Sequence, residues 1–211
     1  IADNQICSCS PDHESTCWGG LITFNYKGTL IEVNCRLYEN AQKIIDDCID
    51  GKIEVYPEIW TINGFYSYSY LAEMSYVIPL WDPVGFVENN RKKTKVYPAK
   101  LKKAIIDRFM PMVGLLNNPS YISAVNRQDI FMTSFFVRII IHSIIQVIFA
   151  LNERYYTGDK KLLKVLKTMQ YCPGKLIDNA SCLLSAPLEK ELLEKQRQIF
   201  FDMEKELISK I

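Results

Sequence analysis

The sequence predicts an α+β fold in two parts, a mixed α/β part over residues 1–90 and an all-α helical bundle over residues 91–211. The composition, 48% hydrophobic with only nine glycines and nine prolines in 211 residues, excludes a disordered, collagen-like or low-complexity chain. Runs rich in β-forming residues occur only near the N-terminus. Beyond residue 95, apolar residues recur at helical spacings that proline and glycine interrupt.

A β-hairpin is predicted after an N-terminal polar loop. The runs Gly20–Tyr26 and Thr29–Arg36 are rich in β-forming residues, and Lys27 and Gly28 between them suit a tight turn. Because side chains alternate along a strand, Glu32 and Asn34 share one face of the second strand.

Two helices complete the first part. The first begins at Tyr38 and ends at Gly51, a suitable residue to follow a helix C-terminus. Residues 53–60 are interpreted as a short strand or a loop. The second helix contains Leu71, Met74 and Val77 and is ended by Pro79, because proline cannot continue a helix. Residues 88–95 are predicted to form a charged linker.

Five helices are predicted in the second part. Proline fits the first turn of a helix, and Pro111 is expected to kink or end the first of the five. In the last helix, apolar residues three or four positions apart predict one buried face, formed by Leu188, Leu192, Ile199, Met203 and Leu207. The predicted helices are Pro98–Leu116, Gln128–Asn152, Lys160–Met169, one that starts at Pro173, and Pro187–Ile211.

A cytoplasmic protein is predicted. The longest apolar run, Ile130–Leu151, contains Arg138, His142 and Gln146, which are costly in lipid, so it is interpreted as a buried helix and no membrane partner is expected. Seven cysteines at irregular spacings, without a secretory signal, favour a reducing compartment.

Charge is distributed unevenly. Residues 1–90 hold 4 basic and 13 acidic side chains, and residues 91–211 hold 21 and 11. An acidic part beside a basic part suits a cleft for metal-bound, phosphate-bearing or cationic ligands, and mutual attraction of two domains is an equal alternative.

Five short motifs occur in this order along the chain: Gly28–Asn34, Trp81–Gly85, Tyr97–Pro98, Asn126–Asp129 and Phe149–Leu162. Together they resemble the nucleotidyltransferase-like family. Within that family, the resemblance points to bacterial antibiotic-type nucleotidyltransferases and to uncharacterised proteins with the same helical C-terminal domain. The resemblance covers residues 20–184, and the order and spacing of the motifs carry more of it than any single one.

The resemblance implies a catalytic α/β domain joined to a helical domain, and Mg²⁺-dependent transfer of a nucleoside monophosphate from a nucleoside triphosphate to a hydroxyl. Glu32 matches the third of the family's metal-binding carboxylates. The Gly-Ser turn and the Asp-x-Asp strand that carry the other elements are absent, so residues 1–90 are expected to be the C-terminal remnant of the catalytic domain. Since one carboxylate cannot hold two Mg²⁺ ions, the chain alone is expected to be inactive.

Asn152, Tyr156 and Lys160 are the candidate nucleotide ligands, with Lys160 as a point charge for phosphate. The alternative is a structural turn, with Gly158 in a left-handed conformation and Asp159 capping the next helix.

Four further features are weighed. Asp129 is a candidate catalytic residue, and capping a helix or pairing with Arg127 is the alternative. His142, in a polar stripe with Ser134, Arg138 and Gln146, is a weak candidate for a catalytic base because the sequence alone does not indicate which residue would act with it. Alternating aromatics from Phe65 to Tyr70 suit ring stacking or ordinary packing.

The last feature is a group of zinc-type ligands at an unusual spacing, for which free thiols are favoured: Cys7, Cys9, His13 and Cys17.

The acidic first part favours a small hydroxylated acceptor, with a cationic one most readily attracted. No nucleic-acid-binding motif is present, so a nucleic-acid acceptor has little support. The competing hypothesis is a non-catalytic helical binding or regulatory module in which Glu32 is a surface residue.

Overall fold

A computed structural model describes residues 6–10, 17, 19–57, 61 and 63–211. The chain forms two compact units, unit 1 (Ile1–Lys95) and unit 2 (Val96–Ile211). It is mostly helical with two small sheets, so the α+β class is confirmed. The charged linker predicted over residues 88–95 is wrong, because most of this segment is helical. The boundary predicted near residue 90 consequently lies inside a helix.

Unit 1 begins with a three-stranded antiparallel sheet. Its described elements are β1 (Ile6–Ser10), β2 (Gly20–Tyr26), β3 (Thr29–Cys35), α1 (Tyr38–Ile49), β4 (Val55–Tyr56), β5 (Phe65–Tyr66), α2 (Ser69–Tyr76) and α3 (Phe86–Lys93). The predicted hairpin β2–β3 is confirmed, with Gly20 opposite Cys35 and Tyr26 opposite Thr29. Lys27 and Gly28 both have positive φ, which matches the twist of the two strands. Strand β1, which pairs with β2, was not predicted.

The buried interior of unit 1 lies around α1 and α2. Ile45 and Cys48 of α1 and Leu71 of α2 are fully buried. The two-stranded sheet β4–β5 contributes Phe65 and Tyr66, which are also buried. Helix α2 ends at Tyr76, one residue before the predicted Val77.

Unit 2 is all helical in the described structure. Its elements are α4 (Ala99–Val113), a 3₁₀ helix (Gly114–Asn117), α5 (Pro119–Arg127), α6 (Ile130–Leu151), α7 (Leu162–Leu166), α8 (Gly174–Asp178), α9 (Ala180–Leu184) and α10 (Lys190–Ile208). Helices α5 and α9 were not predicted. Helix α4 ends two residues after Pro111, where the chain tightens into the 3₁₀ helix.

Helix α6 is the centre of unit 2. It packs against α4, whose buried residues recur at every fourth position: Leu101, Ile105, Phe109 and Val113. By length and composition α6 is able to cross a membrane, and no other helix of the described ranges is. However, 72% of its most apolar window is buried inside the structure, which is consistent with the core helix of a soluble protein.

Helix α10 closes the bundle with a different face from the predicted one. Ile199, Met203 and Leu207 are buried as predicted, but Leu188 and Leu192 are exposed. Leu193 and Phe200 are buried instead, and Leu188 lies before the helix begins at Lys190. The buried apolar face of α10 therefore begins at Leu193, one residue after the predicted Leu192.

Candidate functional site

The segment after α6 carries the three predicted nucleotide ligands, beginning with Asn152. The Asn152 amide donates to the carbonyl oxygens of Ile148 (2.8 Å) and Tyr171 (2.6 Å), and its oxygen accepts from the Tyr171 backbone N–H (2.8 Å). Both ends of the amide are thus engaged within unit 2. The structure therefore gives Asn152 a role in joining the end of α6 to the chain 19 residues later.

Tyr156 is turned into the interior of unit 2. Only 2% of it is exposed, and its ring contacts Phe149 edge to face at 5.1 Å between centroids. Its hydroxyl donates to Asp159 Oδ1 at 2.5 Å. Asp159 therefore secures the turn through Tyr156 and makes no side-chain cap for α7, contrary to the predicted capping role.

Lys160 differs from the other two candidates because it is exposed. It follows Gly158 (φ +99°) and precedes Lys161 (φ +60°), so the backbone turns sharply on both sides of it. Lys164 and Lys167 are also exposed, and none of the four lysines forms an ion pair with any residue in the described ranges. This set, Lys160, Lys161, Lys164 and Lys167, is called the lysine cluster below.

The turn that carries Lys160 is held at several points. Arg154 donates to the Thr168 hydroxyl oxygen at 2.9 Å, and Lys102 of α4 pairs with Glu153 at 2.9 Å. Glu153 itself has φ +51°, so the left-handed residue that ends α6 is Glu153, whereas Gly158 belongs to the following turn. Lys160 is consequently displayed by an anchored segment.

Asp129 is the N-cap of α6. Its Oδ1 accepts from the Met132 backbone N–H at 3.2 Å, and its Oδ2 lies 3.6 Å from Arg127 Nη2. Both contacts are those expected if Asp129 caps a helix and pairs with Arg127, which is the alternative to a catalytic role. They use the carboxylate to satisfy an orphan helix N–H and to pair a nearby cation.

Glu32 lies in the middle of β3, directly opposite Thr23 of β2, and is exposed. In the described part of the chain, no three His, Cys, Asp or Glu side chains come together in a way that could hold a metal ion. The described residues therefore do not supply the carboxylates that Glu32 would need as partners in a Mg²⁺ site.

His142 is buried on α6 beside Gln146, with 3.2 Å between their side-chain nitrogens. Burial lowers the pKa of His142 to about 4, so the ring is neutral at neutral pH. Of the predicted polar stripe, His142 and Gln146 face the interior while Arg138 is exposed. These residues therefore do not form one polar stripe along a cleft.

The remaining candidates are placed as follows. The aromatic side chains from Phe65 to Tyr70 are buried, as the packing interpretation predicts. His13 lies outside the described residues, as do the side chains of Cys7 and Cys9, and Cys17 forms no disulfide bond with another described cysteine. A cavity of about 540 Å³ in unit 1, bordered by the connection between α2 and α3, was not predicted. Its only signal in the sequence is the apolar run from Val77 to Val84, interrupted by a single acid.

Part of the chain matches a protein family. A family described as a domain of unknown function (DUF4037) matches residues 68–163, from the start of α2 to the start of α7. The matched range includes Asp129, Asn152, Tyr156 and Lys160 and excludes Glu32. No curated protein and no solved structure matches the chain. The chain is therefore similar, over rather less than half of its length, to a domain family without an assigned activity.

Proposed function

We propose that this chain is part of a bacterial nucleotidyltransferase and binds a nucleoside triphosphate through Lys160. The reaction is transfer of a nucleoside monophosphate to a hydroxyl of a small acceptor. Unit 1 is the remnant of the mixed α/β catalytic domain, and unit 2 is the nucleotide-binding helical bundle. The observation that carries the proposal is the presentation of Lys160, an exposed cation on an anchored turn.

The lysine cluster supports phosphate binding in particular. Lys160, Lys161, Lys164 and Lys167 fall within eight residues that contain no acid. A triphosphate carries several negative charges, and exposed ammonium groups without ion-pair partners attract it without first having to break existing pairs. Asn152 and Tyr156 act on the nucleotide indirectly in this proposal, by fixing the turn that displays Lys160.

Mg²⁺ chemistry is not assigned to the described residues. Glu32 is exposed, and no second carboxylate in the described ranges completes a site with it. A Mg²⁺ ion therefore does not fit at Glu32. The proposed contribution of this chain is therefore binding, and purified chain with Mg²⁺ and any nucleoside triphosphate should transfer no nucleotide. Robust turnover in that assay would contradict the proposed division of roles.

The acceptor is proposed to be a small hydroxylated molecule in the cytoplasm. Unit 1 holds 8 basic and 13 acidic side chains, a net charge of −5, because four cations from Arg91 to Lys95 belong to it. The net charge of unit 1 is thus less negative than that of residues 1–90, but it is still negative. A cationic acceptor would still be attracted to it.

A thermal-shift experiment tests nucleotide binding. The melting temperature is measured with ATP, GTP, CTP or UTP, each with Mg²⁺, because a ligand that binds only the folded state stabilises it by about 2.7 kcal/mol at a concentration of 100 Kd. At least one nucleotide should raise the melting temperature. Lys160→Ala should remove the rise, whereas Lys195→Ala, an exposed lysine of α10 without an ion pair in the described structure, should keep it.

The second candidate is a non-catalytic binding or regulatory module. It is favoured by one specific observation, namely that Asn152 and Tyr156 are both engaged by the chain's own groups. If no nucleotide changes the melting temperature, or if Lys160→Ala retains the whole rise, the nucleotide site on the lysine cluster is wrong and this candidate takes its place.

A further inference from the structure

The cavity of unit 1 lies among α1, α2, α3 and the connection between α2 and α3. Its volume, about 540 Å³, is within the range of small-molecule sites. Four aromatic rings contribute to its lining, those of Tyr38, Tyr70, Trp81 and Phe86. Aliphatic side chains and a proline supply most of the remaining surface, so contact with a ligand would be mainly apolar.

Several of these rings are held in place by neighbouring groups. Tyr38 and Phe86 meet edge to face with their centroids 5.1 Å apart. The Arg36 guanidinium lies 4.5 Å from the centre of the Tyr70 ring, and the Tyr70 hydroxyl donates to the backbone carbonyl of Cys17 at 2.5 Å. The walls formed by Tyr38, Tyr70 and Phe86 are therefore preformed, which reduces the entropy lost on binding.

The charged groups of the cavity already have partners. Arg36 forms two hydrogen bonds with the Glu73 carboxylate. The Asp82 carboxylate accepts backbone N–H bonds from Phe86 (2.7 Å) and Val87 (3.1 Å) at the start of α3. A charged ligand would lose its hydration and find these groups already satisfied, which is unfavourable. An uncharged ligand avoids this loss.

Trp81 gives the cavity an open side. It lines the cavity although 85% of it is exposed, and Val84 beside it is 67% exposed. Because most of the Trp81 indole ring is exposed to water, the ring is available to stack on a flat ligand in the cavity. Offset stacking of aromatic rings contributes about 0.5–1.5 kcal/mol beyond the burial of their area.

We propose that this cavity binds an uncharged planar aromatic ring that packs against Trp81. Such a ring is present both in a nucleobase and in a simple aromatic metabolite. The proposal is separate from nucleotide binding at the lysine cluster, because it concerns unit 1 alone and needs no phosphate.

The test uses the complete chain and the indole N–H signals of its three tryptophans in ¹H–¹⁵N spectra. The Trp81 signal is assigned by its loss in Trp81→Phe. Adenosine and indole are the probes, and ribose is the non-aromatic control, each added to about 5 mM to detect binding with Kd near 1 mM. Adenosine, indole or both should shift the Trp81 signal saturably, and ribose should not.

Two variants test the location. Val84→Asp places a charge in the cavity lining and should weaken binding by about tenfold, because a bound aromatic ring would cover the carboxylate and remove part of its hydration. Leu188→Asp, at an exposed position of unit 2, should leave the affinity unchanged. The folded state of Val84→Asp is checked by its unchanged amide spectrum away from the cavity.

The pattern of outcomes also identifies the source of the ring. Binding of adenosine but not indole supports a nucleoside ligand, and binding of indole alone supports an aromatic compound without a sugar. The proposal is overturned if neither aromatic probe shifts Trp81 saturably. It is equally overturned if Val84→Asp binds as well as the unaltered chain.

Discussion

Asn152 holds the backbone of Tyr171 from both sides, accepting from its N–H at 2.8 Å and donating to its carbonyl oxygen at 2.6 Å. This two-point contact closes the segment from 153 to 170, which contains α7 and the lysine cluster. Lys160 is therefore displayed by a loop whose two ends are joined by one side chain.

Replacing Asn152 should destabilise unit 2. Asn152→Ala removes three hydrogen bonds, including both contacts with Tyr171, and each such bond contributes about 0.5–1.5 kcal/mol net. We expect a loss of about 2–3 kcal/mol in the free energy of unfolding, measured by urea denaturation. Asn126→Ala, on the exposed surface of α5, should change it by less than about 0.5 kcal/mol. Equal effects of the two substitutions would contradict the structural role of Asn152.

Tyr156→Phe distinguishes a structural phenol from a nucleotide ligand. It removes the hydroxyl that donates to Asp159 while keeping the buried ring. We expect about 1–2 kcal/mol of destabilisation, since Asp159 loses its partner. The rise in melting temperature with a nucleoside triphosphate should remain. If the variant is as stable as the parent but no longer responds to nucleotide, the phenol contacts the ligand directly.

The pH dependence of stability should carry a contribution from His142. Burial lowers its pKa in the folded chain to about 4, whereas an unfolded histidine titrates near 6.5. Below pH 6.5 the unfolded state binds a proton that the folded state does not, so stability present at neutral pH is lost as the pH falls towards 4. Between pH 7 and 4.5 this amounts to about 2–3 kcal/mol.

The variant His142→Gln isolates this contribution, because carboxylates and the other histidine titrate in both proteins. As the pH falls from 7 to 4.5, the unaltered chain should lose about 2–3 kcal/mol more of its unfolding free energy than the variant does. A constant difference over this range would show that His142 titrates normally in the folded chain.

Glu73 should matter more than an acid in an exposed ion pair. Arg36 and Glu73 are joined by two hydrogen bonds, and their side chains are only 21% and 29% exposed. Glu73→Gln leaves the half-buried guanidinium without its counter-charge, so we expect a loss of about 2 kcal/mol in the free energy of unfolding. Glu88→Gln, in the exposed pair with Lys92, should change it by at most about 0.5 kcal/mol. Comparable losses in thermal or urea unfolding would refute this ranking.

Local sequence signals predicted much of the fold. The hairpin was readable because β-forming runs flank Lys27 and Gly28, and both turn residues adopt the positive φ that such a turn requires. The start of α6 was within two residues because Asp129 is a strong capping residue. Helix α3 was missed because its charged residues carry little apolar periodicity, with Asn90 as its only buried residue.

The site was harder to predict because its contacts join residues far apart in the sequence. Spacing placed Asn152, Tyr156 and Lys160 at one helix end, but only the structure shows that Tyr171 occupies the Asn152 amide. Similarly, the cavity of unit 1 combines Tyr38 with Trp81, which are 43 residues apart in the chain. Such pairings depend on tertiary packing, which local patterns do not encode.

Helix α6 has no side that faces water over the eleven consecutive residues from Ile140 to Ala150. Its backbone amides there cannot reach solvent by the fraying of a single neighbour, because the surrounding helices cover it all round. These amides should therefore exchange hydrogen for deuterium only when unit 2 unfolds as a whole, and they should be the slowest of the unit. The middle of α6 is thus a built-in reporter of the global stability of unit 2.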